Sequence, residues 1–243
     1  MGYKTFIYDE ARNFIFVYVP KVSCTNWKSI LRYLAGFDNY LDSRLAHDKQ
    51  NGGLRYLELN GPDAPDWGVV KDASVPKYAF VRDPYARVLS AYLNKVESRL
   101  PLPEEAEGEE YFLTVTRDID RFRREALDVA RYPQIDLTVF LKWLEDGTSR
   151  YVGDEHWQKQ VVLLRWKKVE YDFVGRFENL AEEAPVLLEK MGCDIPFPSQ
   201  KDVKFPPTNA VSKIDRYYTP ESFALVSKLY AEDFDALGYE RRD

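Results

Sequence analysis

Residues 14–19 (FIFVYV) are six consecutive apolar side chains that stop at Pro20 and give way to Lys21, Val22, Ser23, Cys24, Thr25 and Asn26. A run without polar alternation is the pattern of a strand covered on both faces, as in a parallel sheet flanked by helices. Pro20 withholds the next ladder donor, so the strand must end there. Trp27, Ile30, Leu31 and Leu34 then recur at helical spacing before Gly36, which predicts a strand, loop, helix unit.

The unit recurs. Residues 78–82 (YAFVR) read as a strand, Asp83 as a helix N-cap and Pro84 as the first helical residue, with Tyr85, Val88, Leu89, Tyr92 and Val96 on one stripe. A third strand is predicted at 171–177 (YDFVGRF), followed by a helix that turns Leu180, Leu187, Leu188 and Met191 inward. Helices are predicted at about 117–131, 136–146 and 154–165, and a last one opens at Thr219-Pro220-Glu221. Strands alternating with helices predict an α/β fold with a central, mainly parallel sheet. A length of 243 residues with 45% hydrophobic side chains suits a single domain over 1–243 with one sizeable core. The acidic, turn-rich stretch at 101–112 reads as a solvated loop, with a partner-binding lid as the alternative.

A net charge of −6 argues against a general nucleic-acid or anionic-membrane binder and disfavours a polyanionic acceptor, so any anion site is expected to be local. No run of 18 apolar residues and no leader pattern occurs, so the expectation is a soluble, cytoplasmic protein. Cys24 and Cys193 are far apart and lack metal-site spacing.

A polar loop after a buried parallel strand lies at the carboxyl end of the sheet, where open α/β folds bind ligands. The backbone N–H groups of Ser23, Cys24, Thr25 and Asn26 start a helix, so an anion would satisfy them, with Lys21 adding a full charge and Thr25 a hydroxyl. The bland alternative is that Ser23 or Thr25 merely caps the helix. No Walker A pattern is present. A phosphatase-type role for Cys24 would want an Arg six residues on, where Ile30 stands, so Cys24 reads as a lender of its backbone N–H. At the second strand end Arg82, a two-pronged donor, and Ser90 on the following helix could grip a second phosphate. The alternative there is an Arg82 ion pair with Asp83 or a nearby acid.

Together PKVSCTNW (20–27) and FVRDPYARVLSAYLNK (80–95) resemble the sulfotransferase superfamily, and within it the carbohydrate sulfotransferases that include the chondroitin 4-O-sulfotransferases. Weaker matches follow in order at DEHWQ (154–158), YDFVGRFENL (171–180) and YAEDFDALGY (230–239), so the resemblance spans about residues 14–239. It implies a P-loop-like sulfotransferase fold and 3′-phosphoadenosine 5′-phosphosulfate (PAPS) as sulfuryl donor, with no metal. By that resemblance Lys21, Ser23, Cys24, Thr25, Asn26 and Trp27 form the 5′-phosphosulfate loop, Arg82 and Ser90 the 3′-phosphate element, and Asn209, Ser212 and Lys213 a loop over the nucleotide. Ser23 stands where the family usually has glycine. The family's N-terminal anchor and stem are not seen, so a Golgi setting is not implied.

Sulfuryl transfer resembles phosphoryl transfer in resting on positioning and charge stabilisation. The resemblance implies that Lys21 neutralises charge on the bridging oxygen of the leaving phosphate. The acceptor, a hydroxyl on a saccharide or another small molecule, needs a base. His47, in RLAHDKQNGGLRYL, is favoured; His156 in DEHWQ, with Glu155 beside it, is the rival. Against each stands a structural role, a solvated loop for His47 and packing beside Trp157 for His156. A kinase of related architecture and a non-catalytic nucleotide- or glycan-binding module are the competing readings.

Overall fold

The structure, a computed structural model, describes residues 2–103 and 110–242, so half of the acidic loop expected at 101–112, residues 104–109, lies outside the described residues. The chain packs as two compact units, each drawn from two stretches. The first runs up to Arg82 and resumes over Gln160–Pro207; the second comprises Asp83–Lys159 and the chain from Thr208 onward.

The first unit begins with β1 (Phe6–Asp9) and β2 (Phe14–Val17), then α1 (Cys24–Leu34), α2 (Ser43–His47), α3 (Trp67–Lys71) and β3 (Lys77–Val81). The second contributes α4 (Pro84–Lys95), α5 (Tyr111–Ala126) and α6 (Leu137–Asp146). The chain returns to the first with α7 (Gln160–Leu163), β4 (Phe173–Arg176) and α8 (Leu180–Lys190), and closes in the second with α9 (Ile214–Tyr217), α10 (Pro220–Leu229) and α11 (Ala231–Leu237).

The sheet belongs to the first unit, in the order β1-β2-β3-β4. β2, β3 and β4 are parallel, with Val17 opposite Ala79 and Val81 opposite Arg176; β1 pairs antiparallel with β2, Phe6 opposite Val17. All four residues of β2 and all five of β3 are buried, as an uninterrupted apolar run requires. Trp27, fully buried, anchors α1 on the sheet: its ring lies 4.8 Å from Phe80, 5.0 Å from Phe16 and 4.6 Å from Phe197. Gly175 makes room for this cluster, because a Cβ there would meet the Phe80 ring at 2.4 Å.

The second unit is helical around its own core, in which Tyr85, Tyr92, Phe140, Trp143 and Trp157 are almost wholly buried. Arg87 is buried there too, donating from Nη1 to the Gln158 carbonyl (2.7 Å) and from Nη2 to the Glu155 carbonyl (3.1 Å). These bonds hold the DEHWQ segment in place.

The sheet and its helices match the α/β expectation, with local corrections. β1 was not expected, because FIYD is short and its hydrophobicity is broken by Asp9. Asn13, left-handed at φ 56°, closes the hairpin that pairs β1 with β2. The helix expected at 117–131 runs from Tyr111 to Ala126. The helix expected at 154–165 is only the single turn α7. Asp154 instead caps a tight turn, accepting from His156 N (2.9 Å), while its carbonyl accepts from Trp157 N and Gln158 N. The strand expected at 14–19 ends at Val17, although Tyr18 and Val19 stay buried, and that expected at 171–177 shortens to Phe173–Arg176.

Candidate active site

The turn from β2 into α1 is built from two left-handed residues, Lys21 at φ 70° and Ser23 at φ 49°, with Val22 N donating to the Val19 carbonyl (3.2 Å). Trp27 N donates to the Ser23 carbonyl (3.0 Å), so α1 begins at Cys24. A residue caps a helix with its side chain from an extended backbone. Ser23, being left-handed, makes no such bond, and the first turn of α1 carries no acid. The capping alternative for Ser23 therefore fails, and the start of α1 presents Cys24, Thr25 and Asn26 N–H groups together with the positive end of the helix dipole. The left-handed backbone at Ser23 is also the physical reason a glycine suits that position.

Thr25 is buried, and its Oγ1 lies 2.9 Å from Nε2 of His47, which is exposed at the end of α2. Two devices hold His47 there. Asp42 caps α2 by accepting from Arg44 N (2.9 Å), and the buried Arg32 donates to the Gly52 carbonyl and to Asn39 Oδ1 (2.6 Å). Gly52 packs against the Leu45 and Asp48 carbonyls so closely that a Cβ would sit 2.2 and 2.4 Å from their oxygens. Asp48 accepts from Gln50 N, Asn51 N and Asn51 Nδ2, bonds that hold its carboxyl below the usual range.

Arg82 lies one residue beyond β3 and is 5% exposed. Its Nη1 donates to the Lys21 carbonyl (2.9 Å), and its guanidinium sits 4.1 Å above the Phe177 ring. The side-chain amide of Gln160 accepts from Arg82 N (3.0 Å) and donates to Arg82 O (2.7 Å), acting as a neighbouring strand where none continues. Lys21, Thr25, His47 and Arg82 thus gather at the carboxyl edge of the sheet in the first unit.

Other expected contacts are used differently. Trp27 has no exposed surface and serves the core, which corrects its reading as a nucleotide contact. The Asn26 side chain donates to the Pro198 carbonyl (2.8 Å) and receives a longer contact from Gln200 (3.4 Å), so it pins the segment after α8 and leaves only its N–H at the helix start. Cys24 is partly buried. In the second unit Ser90 is buried and bonded to Thr208 Oγ1 (2.8 Å). Asn209 there is left-handed at φ 51°, its carbonyl accepts from Ser212 Oγ (3.0 Å), and Lys213 precedes α9. His156 binds Asp154 Oδ1 through Nδ1 (2.7 Å) and stands edge-on to Phe112 at 5.2 Å. Burial holds its pKa below the ordinary value, against the opposing pull of Asp154.

A model of the sulfotransferase family matches residues 4–240. The chain belongs to the sulfotransferase family. Carbohydrate sulfotransferase 14 of Danio rerio is 31% identical over 237 residues, covering 95% of this chain and 60% of that protein. Carbohydrate sulfotransferase 14 of Mus musculus is 34% identical over 182 residues, 74% of this chain and 45% of its own. Carbohydrate sulfotransferase 12 of Xenopus laevis is 27% identical over 271 residues, 98% of this chain and 60% of its own. This sulfotransferase chain therefore spans about half the length of the curated relatives it matches. No solved structure matches it. Among the described residues no helix is long and apolar enough to cross a membrane.

The sequence reading missed Arg32, Gly52 and Gln160. Arg32 was findable: Thr25, Lys28, Ser29 and Arg32 recur at helical spacing, and all four are buried, Lys28 with its Nζ 3.7 Å from the Tyr18 ring centre. Nothing in the sequence marks Gln160, whose role depends on which strand end lies beside it.

Proposed function

We propose that this protein transfers the sulfuryl group of PAPS to a hydroxyl of a carbohydrate acceptor. The observation that carries the reading is the open start of α1, where a left-handed Ser23 leaves the helix without a side-chain cap next to Lys21 and the Thr25–His47 pair. Bound PAPS supplies the activated sulfuryl group; the rest is the work of the protein's own residues. The Cys24, Thr25 and Asn26 N–H groups hold its 5′ anionic end. Lys21 stabilises the charge that develops as the sulfur–oxygen bond breaks. Arg82 orients the Lys21 backbone and offers its guanidinium to a phosphate. Ser90, Asn209, Ser212 and Lys213 keep the roles that the family resemblance assigns to them.

His47 acts as the base and takes the acceptor's proton on Nε2. Thr25 Oγ1 and His47 Nε2 share one hydrogen bond, so a donor oxygen that engages the Thr25 hydroxyl competes with Nε2 for it and releases the ring nitrogen to the acceptor. His156 is occupied by Asp154 and Phe112 and serves packing in the second unit.

The test is a thermal-shift titration with 3′,5′-adenosine bisphosphate beside ADP and 5′-AMP. A shift selective for the bisphosphate is expected, about 2.7 kcal/mol at a hundred times the dissociation constant, or roughly 5–10 °C for a chain of this size. Equal or absent shifts would overturn the reading in favour of a kinase or a non-catalytic module.

A further inference from the structure

β2 and β3 part company just where the site begins. β2 pairs with β3 as far as Val17 opposite Ala79, whereas β3 keeps its rung with β4 out to Val81 opposite Arg176. Along a strand in a parallel sheet, successive residues bond alternately to the two neighbours. The Pro76 carbonyl accepts from Ile15 N on the β2 side (2.8 Å), and the Lys77 carbonyl from Asp172 N on the β4 side (2.9 Å). The backbone groups of Pro76, Tyr78, Phe80 and Arg82 therefore face β2. Continued at the same register, Arg82 would come level with Pro20, donating to the Val19 carbonyl and accepting from Lys21 N. That rung is given up to the turn: the Val19 carbonyl accepts from Val22 N (3.2 Å), and Lys21 is left-handed at φ 70°.

Gln160 replaces it. Its Oε1 accepts from Arg82 N (3.0 Å) and its Nε2 donates to Arg82 O (2.7 Å), the same acceptor and donor that Val19 and Lys21 would have offered. Gln160 is fully buried, and α7, which it opens, is tied to the start of β1 by Thr5 Oγ1 donating to the Leu163 carbonyl (3.1 Å). Buried backbone groups must be paired. Because one side-chain amide pairs both groups of Arg82, the chain after β2 is free to form the turn while Arg82 stays in line. Arg82 passes that order on, since its Nη1 donates to the Lys21 carbonyl (2.9 Å) while its guanidinium rests 4.1 Å above the Phe177 ring. All of these residues belong to the first unit.

We infer that Gln160 is a positioning residue of the donor site: its amide stands in for the missing rung of β2 and, through Arg82, holds Lys21 and the turn in the geometry that receives an anion. The inference rests on the PAPS reading for the identity of that anion. The chemistry demanded of the side chain is narrow. A hydrocarbon pairs neither backbone group, and a carboxylate pairs Arg82 N but sets a second acceptor against Arg82 O. A protonated carboxyl, with one O–H and one C=O, pairs both as the amide does.

The experiment measures binding of 3′,5′-adenosine bisphosphate to the full chain by isothermal titration calorimetry at about pH 5 and about pH 8, on either side of the range in which a buried glutamic acid titrates. Each affinity is divided by that of wild type at the same pH, so the nucleotide's own titration cancels. Gln160→Leu should bind about tenfold more weakly at both pH values, the scale of one to two lost hydrogen bonds. Gln160→Glu should be about tenfold weaker at the higher pH and recover to within about threefold at the lower, where protonation restores the donor. In an Arg82→Ala background Gln160→Leu should cost less than about twofold more, because the path to Lys21 is already cut. A glutamine that served stability alone would lower Tm without the pH recovery and without the dependence on Arg82. An equal deficit of Gln160→Glu at both pH values, or an undiminished loss in the Arg82→Ala background, would overturn the inference. Should Gln160→Leu fail to fold, the two pH values of Gln160→Glu decide alone. A wild-type protein that ignores the bisphosphate would overturn the nucleotide reading and this inference with it, whereas tight wild-type binding unaffected by Gln160→Leu would overturn this inference only.

Discussion

α1 and α4 start from nearly the same sequence logic, a buried strand that ends and a proline close to the following turn, and their N-termini reach opposite states. At α4, Pro84 occupies the first helical position and Asp83 Oδ1 accepts from Ala86 N (2.8 Å), so the helix is closed by its own carboxylate. At α1 the residue in the cap position is left-handed, makes no side-chain bond, and is followed by a first turn without acids. A helix start that already holds a carboxylate has no room for another anion; one that lacks it leaves its N–H groups to water or an anionic ligand. The expectation of two similar anion-binding strand ends thus needs division. In the proposed reading the first offers the backbone of a helix start, and the second the side chain of Arg82.

The largest effect should come from His47→Ala, which removes the proposed base, bonded to Thr25 at the open end. Turnover is expected to fall about 10²- to 10⁴-fold while the bisphosphate thermal shift persists. Undiminished turnover would return the base to His156. Lys21→Ala is expected to lower turnover with PAPS by about 10²- to 10³-fold, measured as radiolabelled sulfate transferred to acceptor. A loss under threefold would mean the open end works without a full charge.

Stability separates the two helix starts next. Asp83→Ala should cost about 1 kcal/mol through its lost cap, a fall of roughly 2–4 °C in Tm. Ser23→Ala should leave Tm unchanged, since no cap is removed. Equal losses would show that Ser23 caps after all. Ser23→Gly should raise stability by up to about 1 kcal/mol by relieving the left-handed backbone.

The smallest effect is in pH. The folded pKa of His156 lies below its ordinary value of 6.5, chiefly because it is buried. The unfolded chain therefore binds more protons between the two values, so this contribution to stability is present above pH 6.5 and is lost as pH falls through the lowered folded value. His156→Gln should flatten the acid limb of a Tm against pH curve. A curve of unchanged shape would assign that limb to other groups.

The cores of both units were legible because they rest on local periodicity: Trp27, Ile30 and Leu31 on α1, Tyr85, Val88 and Leu89 on α4, Phe140 and Leu141 on α6. Lys21, Thr25 and His47 stood out by residue type, because few types carry a mobile charge or a titratable ring, and the fold gathers them at one edge of the sheet. What failed was whatever depends on a long-range partner. The stretch at 154–165 has helical composition, yet Asp154 and Arg87 impose a turn. β1 is too short to announce itself and exists because β2 offers it a ladder. Gln160 carried no signal, since Arg82, whose backbone it bonds, lies far away in the chain.

By itself the sequence determined that buried parallel strands end in polar loops, that helices follow, and that a lysine and a threonine stand at the first of those loops. These follow from short-range sterics, from which side chains cannot face water, and from which backbone groups a helix start leaves bare. The tertiary structure alone decided that Ser23 would leave α1 open while Asp83 closed α4, and that Thr25 would meet His47. Those outcomes depend on backbone angles set by packing and on partners brought together from distant parts of the chain.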